Sequence, residues 1–280
     1  MRFDIITIFP DFFTSTLEYG ILSRARTTGL VDIATHDLRS FTHDRHRTVD
    51  DRPFGGGEGM VLKAQPIFEA AASLGVAPKA QRNTRHETVI LMSPQGEPFT
   101  QAVAQELATI ERVVLICGRY EGVDERVGQL LCDREISIGD YVLSGGELGA
   151  AVIVDAVVRL LPGALGHPDS SRFESFGAHD VALAEAADSS DGPPRTTHGS
   201  GGILDYPHYT RPADLAGAVV PEILQGGNHD AIRRWRRKMA LRKTLENRPD
   251  LLAKSELSEQ DRRLLREIEV DRRREAEDLP

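Results

Sequence analysis

At 280 residues the chain has room for one large domain or two ordinary ones, and 40% hydrophobic with 28% charged residues fits a protein that buries a substantial core. No apolar run approaches the roughly 18 residues of a membrane span, and the N-terminus MRFDIITIFPDFF lacks the pattern of a signal peptide. Two cysteines without CxxC spacing suggest neither a disulfide framework nor a zinc site, so a reducing cytoplasm is the expected compartment. The formal net charge of −9 argues against a polyanionic partner for the chain as a whole, although binding depends on where positive charge clusters.

RFDIITIF (residues 2–9) reads as a buried first strand ended by Pro10, and DFFTSTLEYGILSRARTTG as a helix broken near Gly20. Residues 31–35 form a second short strand. SFTHDRHRTVDDRPFGGGEGM (residues 40–60) is polar and glycine-rich, a long loop with little means of burying itself, and such loops are usually functional or disordered. Its GGGEG run lacks the GK[ST] of a phosphate loop, and His43 and His46 are not spaced as a metal pair. Residues 66–74 predict a helix, 77–86 a loop, TVILM (88–92) a buried strand and SPQGEPF a turn. A helix at 100–109, a strand at 112–116, a helix at 123–131 and a strand at 136–138 follow. ELGAAVIVDAVVRLL (147–161) is a long apolar helix closed by Pro162 and Gly163. Strand–helix alternation of this kind predicts a mostly parallel sheet covered on both faces.

Composition changes at residues 165–202, where few large apolar groups remain and GPPRTTHGSGG reads as linker or lid. In HDAIRRWRRKMALRK, Ile232, Trp235 and Met239 share one helical face while Arg233, Arg234, Arg237 and Lys238 crowd another. That cationic face is the clearest partner signal, since Lys and Arg clusters supply phosphate contacts. Ser258 and Asp261 predict a capping box opening the last helix.

The chemistry concentrates between Ile116 and Gly149. Two glycine-containing loops, GRYEG and SIGDYVLSGGE, each follow a buried strand, framed by Arg119, Tyr120, Glu121, Asp124, Asp140 and Glu147. A glycine past a strand end permits positive φ or close approach to a ligand, and ligands bind outside the carboxyl ends of strands in α/β sheets. Arg159, near the end of an apolar helix, reads either as a side chain snorkelling to the surface or as a fixed positive charge beside that pocket, placed to stabilise an anion formed in a reaction. Glu121, Asp124, Glu174 and Asp205 are candidates for a general base, and spacing does not choose among them.

FTHDRHRTVDDRPFGGGEGM, LMSPQG, CGRYEGVDERV, SIGDYVLSGGEL, LPGALG, LDYPHYTRP and GNHDAIRRWR occur in this order along nearly the whole chain. Together they resemble the TrmD family of bacterial tRNA (guanine-N1)-methyltransferases, of the knotted SPOUT class. The resemblance implies an α/β fold with a trefoil-knotted, donor-binding domain (residues 1–164), an interdomain linker with an insertion (165–202) and a small helical tRNA-binding domain (203–280). It implies a homodimer with its active site at the subunit interface, and methyl transfer from S-adenosylmethionine to N1 of guanosine 37 in tRNA.

Carried over by motif, the donor-binding positions are Met92, Ser93, Pro94, Gly118, Tyr120, Glu121, Gly122, Ser137, Ile138, Gly139, Tyr141, Leu143, Gly145 and Gly146, and the catalytic arginine is Arg159. Where the family has Asp-Ser-Phe, this chain has Glu174-Ser175-Phe176, followed by an insertion over residues 177–201. Glu174 is therefore the expected general base, with Asp205 and Asp180 as alternative carboxylates. Magnesium enters only through the resemblance, with no ligands assignable. The rival readings are a knotted methyltransferase for another RNA position and a non-catalytic RNA-binding protein of the same fold.

Overall fold

The computed structural model describes residues 1–166, 174–177 and 201–277. The chain forms two compact units, Met1–Pro168 and Asp169–Pro280.

The first unit is built on five parallel strands in the order β2-β1-β6-β5-β7: β1 (Arg2–Thr7), β2 (Asp32–Asp37), β5 (Glu87–Pro98), β6 (Arg112–Cys117) and β7 (Arg134–Ser137). The central strands β1, β6 and the first half of β5 are buried on both faces, which explains why their runs are mostly apolar. Phe3 and Ile5 of β1, with Val113, Leu115 and Cys117 of β6, face one core, while Ile6, Val114 and Ile116 face the other. The first core is covered by α1 (Phe12–Thr16), α2 (Gly20–Thr27), α4 (Gln101–Leu107) and α6 (Glu147–Val158), through Phe13, Leu22, Leu107 and Ile153 among others. The second is covered by α3 (Ala64–Ser73) and α5 (Glu125–Leu130), through Ile67, Ala70, Ala71 and Val127. The predicted mostly parallel sheet with helices on both faces is thus observed.

Two segments differ from expectation. The stretch after Met92 is a continuation of β5, which leaves β7 and returns to it, so that both Met92 and Glu97 lie opposite Ile136. Gly96 makes the return fit, since a Cβ there would stand 2.4 Å from the main chain of Glu135 and Ile136. The polar stretch of residues 40–60 does bury its base. It closes as a hairpin of β3 (Asp50–Asp51) and β4 (Val61–Leu62), with Val49 and Leu62 fully buried. The apolar flanks outside the polar run supplied the anchor.

The amino-terminal edge of the sheet holds a buried carboxylate, Asp4. It receives Arg2 at 2.9 Å, Arg112 at 2.8 Å and lies 2.7 Å from His36 Nε2. Burial alone would raise its pKa, but the hydrogen bonds from His36, Arg2 and Arg112 outweigh that and hold the carboxyl well below the usual range.

In the second unit β8 (Asp214–Leu215) and β9 (Ala218–Val219) form a small hairpin. The helices α7 (Glu222–Gln225), α8 (His229–Asn247), α9 (Pro249–Lys254) and α10 (Glu259–Glu277) follow. Ile203, Ala240, Leu241, Leu264 and Ile268 make its core. The Ser258–Asp261 capping box forms, each backbone N–H donating to the other's side chain at 3.1 Å. Of the predicted linker, residues 167–173 and 178–200, Asp180 included, lie outside the described residues. Glu174 to Gly177 lie against residues 202–205, with Phe176 N–H donating to Ile203 O and Gly202 N–H to Gly177 O.

Candidate active site

A cavity of about 310 Å³ opens at the carboxyl ends of the adjacent strands β6, β5 and β7. Three loops line it. Met92, Ser93 and Pro94 come from the departure of β5, and Gly118, Tyr120, Glu121 and Gly122 from the loop after β6. Ser137, Ile138, Gly139, Tyr141, Leu143, Gly145 and Gly146 come from the loop after β7. The fourteen donor-binding positions expected from sequence are thereby brought together around one cavity. Sequence reading missed Gln95, Gly128, Glu135 and Gly149, which also line it. A signal existed for Gly149: glycine inside a helix costs stability, so it marks a close approach. A Cβ there would stand 2.8 Å from Met92 Cε.

The glycines do different work. Gly146, the residue preceding α6, has φ −76°, so its need is steric rather than conformational. A Cβ would lie 2.8 Å from Cys117 Cα, 2.8 Å from Met92 Cβ and 3.0 Å from Gly118 N, and its own N–H donates to Gly118 O at 2.8 Å. Left-handed backbone falls instead at Gly122 (φ 140°), Gly139 (φ 150°) and the non-glycine Tyr120 (φ 61°), an uncommon conformation for a side-chain-bearing residue.

The loops are fixed from beneath by charge. Glu147, 1% exposed, accepts from Thr7 Oγ1 at 2.7 Å and from Arg119 Nε at 2.9 Å. Arg119 also donates to Ser144 O at 3.1 Å and stacks over Phe9, 4.6 Å from the ring centre. This one ion pair ties the end of β1, the loop after β6 and the loop after β7. From outside, the β3–β4 hairpin braces the β6 loop: Glu121 N–H donates to Met60 O and Leu62 N–H to Gly122 O. Gly59 suits this position, since its φ of 84° is left-handed and a Cβ would also displace the Glu121 side chain.

Several acidic candidates are occupied. Asp124 caps α5 through Arg126 N–H and grips the Arg126 guanidinium, whose hydrogen bond lowers the Asp124 pKa. Asp205 has both carboxylate oxygens engaged, one by Tyr206 N–H at 2.7 Å and one with His208 Nε2 at 2.9 Å. Its backbone N–H donates to Ser175 Oγ at 3.0 Å, directly beside Glu174, which is half-buried in the second unit. Cys117 and Cys132 are buried, and burial pushes the Cys117 thiol far up and the Cys132 thiol to about 12, so neither is a thiolate nucleophile near neutrality. Among the described residues no group of three or more His, Cys, Asp or Glu could hold a metal ion.

Two expectations are corrected. Arg159 does not lie beside the cavity of its own chain. It caps the carboxyl end of α6, whereas the cavity is at the amino end, where Gly149 is the last residue of α6 that lines it, about 15 Å away along the helix. The basic face of α8 is not an open cationic surface. Arg234 pairs with Glu267 at 2.5 Å, Arg237 with Asp261 at 2.6 Å, Lys238 with Asp271 at 2.7 Å and Arg242 with Glu275 at 2.6 Å, all acids of α10. Arg233 pairs with Asp230. Of the four cations read as one face, Arg234, Arg237 and Lys238 are paired by the next helix and Arg233 within its own.

The fold and the cavity define an α/β protein with a main-chain-rich ligand site at the carboxyl edge of a parallel sheet. The model of the family described as tRNA (Guanine-1)-methyltransferase TrmD matches residues 1–254, and the chain belongs to that family. It is 59% identical to a tRNA (guanine-N(1)-)-methyltransferase of Koribacter versatilis over 96% of this chain and 98% of the relative. Proteins of the same description from Dictyoglomus turgidum (51% identical, 98% and 99% covered) and Moorella thermoacetica (50% identical, all of both chains covered) are similar throughout. No helix among the described residues is long and apolar enough to cross a membrane.

Proposed function

We propose that the chain transfers a methyl group from S-adenosylmethionine to N1 of guanosine 37 in tRNA, beside the anticodon, in the cytoplasm. Family membership over residues 1–254 carries this reading. The cavity fits the donor in kind: its size is that of a small-molecule site, and it offers backbone N–H and C=O groups at glycines where a side chain would fill the space. The fourteen lining residues from Met92 to Gly146 would hold the donor, which supplies an electrophilic methyl group and its own leaving group.

The chain's own residues then have one task, to make guanine N1 a nucleophile. N1 carries a proton at neutral pH. Glu174 is the proposed general base, and Asp205, with both carboxylate oxygens engaged, brackets the Ser175 turn that presents it. Arg159 is proposed to stabilise negative charge growing on guanine O6. Because Arg159 is about 15 Å along α6 from Gly149, the last α6 residue lining the cavity of its own chain, this role calls for a second copy. Leu148 and Val152, 50% and 45% exposed, lie on the α6 face that Arg159 continues at helical spacing, and they support a homodimer packed through that face. The trefoil knot belongs to this proposal as well, threaded through the β5–β7 segments whose loops line the cavity.

The test is mass-spectrometric mapping of modified nucleosides in tRNA incubated with the protein and the methyl donor. Methylation at N1 of position 37 is expected. A methyl group at another position, or none with tRNA still bound, would replace the reading with one of its rivals.

A further inference from the structure

The pairing of α8 with α10 leaves a charge pattern on α10 that its composition conceals. Asp261, Glu267, Asp271 and Glu275 turn toward α8 and are consumed by its cations. All six arginines of α10 (Arg262, Arg263, Arg266, Arg272, Arg273 and Arg274) are exposed, against three remaining acids, Glu259, Glu269 and Glu277. Arg262, Arg263 and Arg266 have side chains 61%, 69% and 64% exposed, and among the described residues they reach one carboxylate, Glu259, at 3.8 to 3.9 Å. With Arg273 they fall at helical spacings on one side over about 16 Å of helix. A chain of net charge −9 therefore carries a locally positive outer face on its last described helix, beyond the family-matched residues 1–254.

We propose that this outer arginine face of α10 contacts the phosphate backbone of the tRNA substrate. The proposal rests on the reading of the chain as a tRNA methyltransferase. Charge complementarity selects the partner. Three solvated guanidinium groups that share the single carboxylate of Glu259 at 3.8 to 3.9 Å keep a net positive charge for phosphate oxygens, whereas the paired cations of α8 each hold a closer ion pair that would have to break first. The face carries no aromatic residue on which a base would stack, in keeping with a backbone contact.

The experiment compares wild type with the triple variants Arg262→Ala/Arg263→Ala/Arg266→Ala and Arg262→Lys/Arg263→Lys/Arg266→Lys, measuring tRNA binding against salt concentration and donor binding by calorimetry. The alanine variant should bind tRNA about tenfold or more weakly at low salt. Its log K against log salt slope should be shallower by about 2, at roughly 0.7 to 0.9 per lost phosphate contact. Donor affinity and the thermal melt should match wild type, because these side chains make only distant contacts within the fold. The lysine variant should keep most of both affinity and slope. Unchanged tRNA affinity and slope in the alanine variant would overturn the proposal, as would an equal loss in the lysine variant. Weakened binding to anionic lipid vesicles with tRNA binding intact would also overturn it. Wild-type protein that neither binds nor methylates tRNA would instead overturn the functional reading itself.

Discussion

Gly146→Ala isolates the steric demand of the cavity proposed to hold the donor. At φ −76° alanine meets no backbone penalty at this position, so any effect is the methyl group's own. That methyl would stand 2.8 Å from Cys117 Cα, 2.8 Å from Met92 Cβ and 3.0 Å from Gly118 N. Two of the three are main-chain atoms at the end of β6, so the neighbour cannot yield by rotating a side chain. Relief requires the start of α6 to withdraw from β5 and β6, stretching the Gly146 N–H to Gly118 O bond of 2.8 Å. Overpacking of a well-packed site costs about 1–3 kcal/mol, and the displaced atoms belong to the loops that would hold the donor. Calorimetric titration with S-adenosylmethionine should show affinity reduced at least tenfold, and denaturant unfolding a loss of about 1–3 kcal/mol. Gly163→Ala is the comparison: it has φ 88° but open space around its Cβ and lies away from the cavity, so it should cost stability and leave donor affinity alone. Wild-type donor affinity and stability in Gly146→Ala would refute the reasoning, showing that the loops move apart without cost.

Glu147→Gln removes the charge that pins Arg119, and breaking a buried pair costs up to about 3 kcal/mol here, with weakened donor binding; the readout is the donor KM beside the unfolding midpoint. Asp4→Asn should destabilise strongly at neutral pH. Because the Asp4 pKa is lowered in the fold, its contribution is complete above the unfolded-state value of ~3.9 and fades as pH falls below it, so the gap between variant and wild type should close in acid unfolding titrations. Glu174→Gln should slow single-turnover methyl transfer about 10²–10⁴-fold with donor and tRNA affinities little changed, and near-normal rates would move the base to another carboxylate. Chains carrying Arg159→Ala alone and Gly146→Val alone should each be nearly inactive, yet regain activity when mixed, since one site of the mixed dimer is intact; no recovery would place Arg159 in the site of its own chain.

The parallel sheet was legible in the sequence because burial on both faces demands short, mostly apolar runs, and TVILM and RVVLIC are such runs, with RFDIIT apolar except at Arg2, Asp4 and Thr7. The cavity was legible because glycines past strand ends mark close approach, as at Gly146 and Gly118. Features set by long-range pairing stayed hidden. The return of β5 to β7 depends on where Ile136 lies in space, and nothing local in SPQGEP announces it. Glu147 and Arg119 read as site carboxylate and site cation, but only tertiary contact turns them on each other. The basic face of α8 failed as a signal for the same reason: its neutralising acids lie some 24 to 33 residues further on, at Asp261, Glu267, Asp271 and Glu275.

The helix α6 carries the argument for a shared active site. Its amino end, Gly146 and Glu147, is consumed in building the cavity: one residue by close packing, the next by the ion pair that holds two loops. Its buried face, Ile153, Val154, Val157 and Val158, is committed to the sheet and cannot turn. A rigid rod fixed at its amino end and along one side holds Arg159 at a set distance of about 15 Å from Gly149, the last α6 residue lining the cavity. No rearrangement of loops in the same chain shortens that distance. The residues left over, Leu148 and Val152, are apolar and exposed on the side that Arg159 continues. A second copy packed there would cover them and, through two-fold symmetry, bring the carboxyl end of one α6 toward the amino end of the other. Covering the apolar stripe and bringing Arg159 to the other copy's cavity would then be one structural event, and the mixed-variant experiment tests them together.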